Sequence, residues 1–351
     1  MDEVSNIVIE TASRLFADAV TPDVRRAADA GGWPQSLWQA VEDAGLLAAM
    51  IPEDVGGLGV EPEAAAELVR LCGYYGLPVP LPETMLATRL LAEAGLAAPA
   101  GPIAFAGAGR DDALSLVGEG SDRRIAGRAH RVAWGGRAGA LAVLCSSRDG
   151  QHLVLLGRDD YAVEPGSNIA GEPRDTVLIS TQLVSGRMAQ TKLQPSDLWQ
   201  MGACLRSLAM SGALERVLDI TVRYAGERSQ FGKPIGRFQA VQQNLAILAG
   251  QVAAANGAAA LAGDTLAGGS GAEAAAAAKI RAGEAAGIGA AIAHQVHGAI
   301  GFSQEHELHL FTRRLWSWRD EFGGEAEWSR FLGERALKKG ADVLWPFIAA
   351  A

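Results

Sequence analysis

Two stretches of helical periodicity flank a stretch of short strand-like segments, and this order constrains the fold more than any other feature of the chain. Near the start, Val4, Ile7, Val8, Thr11, Leu15 and Phe16 recur at the spacing of one helix face. Thr21-Pro22 reads as a cap followed by proline at the first helical position, where a missing N–H costs nothing. Leu37, Val41, Leu46 and Leu47 form another apolar face. Ile51-Pro52 to Gly59 then breaks the pattern, because a proline and three glycines favour a loop. Helical patterns resume over 61–75 and 83–94. Short β-prone segments follow at 140–143, 153–156, 161–163 and 176–179, separated by Gly- and Asp-rich turns. Helical spacing returns over 197–228, 238–261 and 273–297, the last rich in alanine, which favours helix and lets neighbours approach closely. The expected fold is mainly α with a β domain: a helical domain over 1–101, a middle antiparallel β domain over 102–193 and a helical bundle over 194–351. A dinucleotide fold would alternate strand and helix and carry G-x-G-x-x-G after a strand; the sequence has neither.

Composition narrows the partners. The net charge is -9 with no block of Lys or Arg, so neither nucleic acid nor an anionic membrane surface is expected. No run of about 20 uncharged, strongly apolar residues stands out, so no membrane span is expected. The opening MDEVSNIVIE lacks the basic-then-apolar order of a signal peptide, and a cytoplasmic location is expected. Cys72, Cys145 and Cys204 are odd in number and far apart, as buried free thiols would be. His294 with His297, and His306 with His309, sit at i, i+3 spacing, but no cysteine or carboxylate pattern completes a metal site.

The strongest local signal runs from Tyr224 to Ile235. A helix ends in Arg228 and Gln230, turns through Gly232 and Pro234, and restarts with Phe238-Gln239. Arginine and an exposed aromatic at such a corner suit a pyrophosphate and an adjacent ring. The same residues also suit a plain turn with a surface arginine.

This segment resembles the R-x-Q-F-G-x-P-I…F-Q-x-V-Q pattern of acyl-CoA dehydrogenases. Leu46-Leu47…Ile51-Pro52-Glu53…Gly56-Gly57-Leu58-Gly59 is similar to that family's N-terminal loop. Gln295-Val296-His297-Gly298-Ala299-Ile300-Gly301-Phe302…Glu305 is similar to its Q-x-x-G-G-x-G-F/Y…E segment. The three lie in the family's order. The resemblance implies a C-terminal four-helix bundle, FAD as cofactor and an acyl-CoA thioester as substrate. It further implies that Arg228, Gln230, Phe231, Gln295, Gly298 and Gly301 contact the pyrophosphate and adenosine half of a neighbouring subunit's FAD.

Elsewhere the family pattern breaks. The family reaction removes an α-proton with a carboxylate while the β-hydride passes to flavin N5. Counting from Phe302 places Phe322, or with one inserted residue Gly323, where most members carry that glutamate. The helix position used by a minority corresponds to Gly202, with Glu215 thirteen residues further on. Glu321 or Glu325 would serve only with a shifted backbone. The T-E-P-x-x-G-S-D segment has no counterpart near Phe105–Arg110. In the G-x-K-x-W-I-T counterpart, Gly127–Trp134, Ala133 stands for the threonine and Arg131 for the tryptophan, with Trp134 close by. The resemblance therefore implies a chain with no catalytic residue of its own. It is similar to the non-catalytic subunit of heteromeric steroid-type acyl-CoA dehydrogenases, paired in an α2β2 heterotetramer with a catalytic partner that binds the acyl-CoA, a steroid side-chain thioester being one candidate. The alternatives are a stand-alone flavoenzyme using a displaced acid such as Glu325, and a structural paralogue without flavin.

Overall fold

The helical, β, helical order holds in the computed structural model, which describes residues 2–118, 122–184, 186–269, 271–343 and 345. Five helices come first: α1 Glu3–Ala19, α2 Pro22–Asp29, α3 Gln35–Asp43, α4 Pro62–Tyr75 and α5 Leu81–Glu93. Thr21 caps α2, its hydroxyl accepting from the Val24 amide at 3.3 Å. Eight strands follow: β1 Ile103–Ala106, β2 Ala113–Val117, β3 Arg124–Ala133, β4 Ala140–Ser147, β5 Gly150–Gly157, β6 Tyr161–Glu164, β7 Arg174–Gln182 and β8 Met188–Thr191. The remainder comprises α6 Pro195–Glu227, the two-residue strands β9 Ser229–Gln230 and β10 Lys233–Pro234, α7 Gln239–Leu266, α8 Ala272–His297, α9 Leu308–Asp320 and α10 Glu325–Lys339.

These elements form two compact units. One comprises Met1–Ala19, Arg26–Ala65 and Pro78–Trp199; the other comprises Val20–Arg25, Ala66–Leu77 and Gln200–Ala351. The N-terminal helical region thus contributes to both.

In the first unit the sheet runs β6-β7-β3-β2-β4-β5-β8, with β1 beside β4. Ile125, Leu141, Val143, Val154, Leu156, Val177 and Ile179 build its core. Most neighbours are antiparallel, but β1 lies parallel to β4, from Ile103↔Ala140 to Ala106↔Val143, and β2 meets β4 in parallel at Ser115↔Ser146. The sheet is therefore mixed, where an antiparallel one was expected. The reason is burial: all four residues of β1 and the first six of β4 are buried, as parallel strands covered on both faces are. The chain between them is long enough to cross over because it forms β2 and β3 on the way.

In the second unit Met210, Leu214, Val217, Leu248, Phe311, Leu315 and Trp318 are buried together. Burying each such side chain contributes about 1.5–3 kcal/mol before entropy is charged. Small residues bring the helices close: a methyl on Gly73 would strike the Ala209 backbone, and one on Gly212 the Arg70 carbonyl. Helix α7 corrects one sequence expectation. Its residues 239–263 carry no charge, and by length and composition it is apolar enough to cross a membrane. Six Gln and Asn side chains interrupt that run, and Leu248, Val252, Ala255, Ala259 and Ala262 are buried along it within this unit.

Candidate functional site

The corner after α6 is a tight hairpin. The Arg228 amide closes the helix on the Tyr224 carbonyl at 2.9 Å, and the Ile235 amide returns to the Arg228 carbonyl at 2.8 Å. Strands β9 and β10 pair Gln230 with Lys233 around Phe231-Gly232. Both turn residues have positive φ, 51° and 79°, the combination of a type I′ turn. Glycine adopts it freely; phenylalanine does so at a cost of about 1–3 kcal/mol that the surroundings must offset. Phe231 is nevertheless 92% exposed, its ring edge-on to Phe238 at 6.2 Å, with Lys233 over the Phe238 ring at 4.4 Å. The side chains of Arg228 and Gln230 are exposed and have no partner among the described residues.

The second predicted segment begins where α8 ends. Gln295 is exposed and likewise without a side-chain partner among the described residues. Gly298 stops the helix at φ 65°, ψ -145°, a conformation left to glycine, and its Cβ direction is open. Gly301 faces inward instead: an added Cβ would lie 3.1 Å from His297 Cβ and Leu308 Cδ2 and 3.2 Å from His294 Nδ1. It lets the turn close, while Gln295 and Gly298 face solvent. Phe302 is 67% exposed and stacks on His294 at 4.0 Å.

Tyr224 joins the two segments. Its ring stacks on His297 at 4.3 Å, its hydroxyl donates to the His297 carbonyl at 3.4 Å, and His306 meets both rings edge-on. His297 Nδ1 donates to the Ala293 carbonyl at 2.7 Å, and its Nε2 is buried without a partner. Burial pushes His297 down to about 4, and burial also lowers His294 and His306. His297 and His306 thus pack with Tyr224, and His294 packs between Phe302 and Trp316, with burial favouring the neutral form of all three. Among the described residues no group of three His, Cys, Asp or Glu side chains is placed to hold a metal. Tyr224 and this stack were not singled out from sequence as site residues; the spacing of the histidines was the only visible signal.

Gly202 and Phe322, the two positions that counting along the sequence assigned to a base, touch each other. Gly202 on α6 faces the Phe322 ring so closely that a Cβ there would come 2.5 Å from Cε1 and 2.7 Å from Cγ. Phe322 has φ 55° and Gly323 φ 92°. Arg206, one turn after Gly202, is buried, lies 5.7 Å from the Phe322 ring centre and donates through Nε to Glu321 at 2.5 Å. The two carboxylates considered as displaced acids, Glu321 and Glu325, are both paired with arginine, and so is Glu215. Glu325 accepts from Arg319 Nε at 2.5 Å, and Glu215 pairs with Arg70, which also holds Glu67 at 2.6 Å.

In the first unit, the loop after β1 is organised by Asp112. Its carboxylate accepts from the amides of Gly107 at 3.3 Å, Gly109 at 2.8 Å and His130 at 2.8 Å. The pairing of β3 with β7 shifts between Ala129 and Val132, and within that bulge Arg131 has φ 54°. Ala133 is buried and offers only a methyl group. Trp134, at φ 61°, packs edge-on against Trp33 at 6.2 Å.

Comparison with known proteins bears on the family and the fold. Residues 2–98 match the family model of the acyl-CoA dehydrogenase N-terminal domain, and residues 200–330 that of the C-terminal domain. Acyl-CoA dehydrogenase IpdE2 of Mycobacterium tuberculosis is 31% identical over 324 residues, covering 89% of this chain and 91% of that protein. Among solved structures, the ChsE4-ChsE5 complex from Mycobacterium tuberculosis superposes with a TM-score of 0.83 at 23% identity, covering 97% of this chain and 99% of that one. A variant of the Tcur3481-Tcur3483 steroid ACAD gives 0.82 at 24%, covering 99% of both. At these identities the structures speak to the fold. On the family models and the IpdE2 match, the chain belongs to the FAD-dependent acyl-CoA dehydrogenase family.

Proposed function

We propose that this chain is the non-catalytic subunit of a heteromeric, steroid-type acyl-CoA dehydrogenase of the cytoplasm, and that it completes the FAD site of a catalytic partner in an α2β2 assembly. The observation that carries the reading is the Phe322 ring lying against Gly202: both candidate base positions are taken up by a contact that holds no carboxylate. Bound FAD supplies the hydride acceptor of the α,β-dehydrogenation, and the partner supplies the base.

What this chain contributes is the exposed donor set. Arg228 presents a guanidinium suited to a diphosphate, Gln230 and Gln295 present amides, and Gly298 presents bare backbone that a ligand can approach. The chemistry of these groups fits the pyrophosphate and adenosine half of the cofactor. The first unit does not fit a flavin of its own in the same way. Asp112 already occupies the amides of Gly107, Gly109 and His130, and Ala133 has no hydroxyl to offer. A stand-alone enzyme using Glu325 is disfavoured by the ion pair that carboxylate makes with Arg319.

The test is flavin absorbance of the purified chain, alone and co-expressed with a catalytic acyl-CoA dehydrogenase subunit. The chain alone should carry no flavin and no dehydrogenase activity, and the co-purified complex should carry both. Stoichiometric FAD on a homo-oligomer of this chain would overturn the proposal.

A further inference from the structure

Lys279 is 1% exposed, lies in the alanine-rich stretch of α8, and takes no part in the reading above. A buried ammonium is costly to desolvate, and an alkyl side chain would fill the same space without that cost. What the ammonium adds is donors. Nζ donates to the carbonyls of Arg319 at 2.6 Å and of Gly323 at 2.8 Å, so it bridges the two ends of the turn that carries Phe322. From the far side Trp328 Nε1 donates to the Phe322 carbonyl at 2.9 Å. The turn needs such fastening, because Phe322 and Gly323 are both at positive φ, and a non-glycine residue keeps that conformation only where its surroundings over-determine it.

We propose that Lys279 is a positioning residue that pins the turn from Arg319 to Gly323 and thereby seats the Phe322 ring as a plug on Gly202, closing the base position from within the helical unit. This rests on the reading that places the base position at Gly202 and Phe322, and it is independent of any donation to a partner's flavin. The plug accounts for the glycine: any side chain at position 202 would occupy the ring's volume. It also accounts for Arg206, whose guanidinium is bonded to Glu321 within the turn while facing the Phe322 ring, so that ring and turn are held together.

The experiment uses the full chain and needs neither flavin nor partner. In the wild type, Gly202→Ala forces a methyl into the ring and should lower Tm by about 5 °C, as overpacking does. In a Phe322→Ala background the same substitution meets no ring, and because alanine is the better helix former it should raise Tm by about 2 °C. In a Lys279→Met background both donors are gone, the turn is loosened, the ring can swing aside, and the Gly202→Ala drop should shrink to half or less. Hydrogen exchange of amides 320–324 should quicken at least tenfold in Lys279→Met, with Lys279→Gln, which keeps amide donors, recovering part of the protection. Equal Tm losses for Gly202→Ala with and without Phe322 would show that no plug exists. An undiminished loss in Lys279→Met would show that Lys279 does not pin it. Neither result puts a carboxylate at position 202 or 322, so the proposed function is tested separately: flavin on the isolated chain would refute that function and leave the plug intact.

Discussion

Tyr224 and His297 stack face to face at 4.3 Å, and through this contact the end of α6 and the end of α8 become one surface. Arg228 lies one turn beyond Tyr224 and Gly298 directly follows His297, so the two motif segments are held in fixed relation by a ring pair that belongs to neither ligand contact. Aromatic pairs of this kind contribute about 0.5–1.5 kcal/mol beyond the area they bury. Tyr224→Phe keeps the stack and gives up only the long hydroxyl contact to the His297 carbonyl, so the co-purified complex should retain FAD within about twofold of wild type. Tyr224→Ala removes the stack and should weaken FAD retention about tenfold, since 1.4 kcal/mol is a factor of ten. Flavin titration of both complexes checks this, and equal retention in the two would separate the stack from the site.

The same stack predicts sensitivity to acid. Burial holds His297 at about 4 in the folded chain, below the value of about 6.5 expected when it is unfolded. A group held low in this way contributes stability that is complete above pH 6.5 and is lost as the pH falls through about 4. His294 and His306 are shifted in the same direction, chiefly by burial; at His306 the Glu307 carboxylate opposes the shift, while Arg223 and His309 add to it. Tm of the isolated chain should therefore decline across pH 6.5 to 4, and His297→Gln, whose amide can still donate to the Ala293 carbonyl, should flatten part of that decline. An identical pH profile in the variant would contradict the assignment.

Gly298 gives a third prediction. Its φ of 65° with ψ of -145° is a region that side chains avoid, although nothing stands in the way of a methyl group. Gly298→Ala should cost about 1–3 kcal/mol through backbone strain alone. It should shift the turn that follows α8, lowering both Tm and FAD retention of the complex. If Tm is unchanged, the backbone at Gly298 relaxes without penalty.

How much of this could be read in advance follows from distance along the chain. Helices α6 and α8 were expected at 197–228 and 273–297 and lie at Pro195–Glu227 and Ala272–His297, because apolar spacing and alanine content are local signals. The corner at Arg228 was legible for the same reason, its residues being contiguous. Strand β3 was not, because Arg124, Arg128, His130 and Arg131 interrupt its apolar alternation and the bulge shifts its phase. Strand β8 was missed as a four-residue run, half of it polar and none of it buried, that pairs with β5. The contacts that decide the chemistry are tertiary. Phe322 meets Gly202 across 120 residues, Lys279 reaches Gly323 across 44, and Tyr224 reaches His297 across 73. The count that put both Phe322 and Gly202 at the base position gave no hint that the ring would fill the space above the glycine.

If Arg228 serves a flavin bound by another subunit, as proposed, FAD retention by the co-purified complex falls when the complex carries Arg228→Ala. Arg228 is exposed and its guanidinium has no partner among the described residues, so the substitution should leave Tm of the isolated chain nearly unchanged. A charge-assisted bond to a diphosphate is worth about 1.5–3 kcal/mol, so its loss should weaken FAD binding in the complex roughly ten- to a hundred-fold. Dialysis against low FAD followed by flavin absorbance reads this out. A flavin-depleted variant complex built from a normally folded chain is the predicted result; full flavin occupancy at low FAD would reduce the corner at Arg228 to a plain turn and contradict donation to the partner's site.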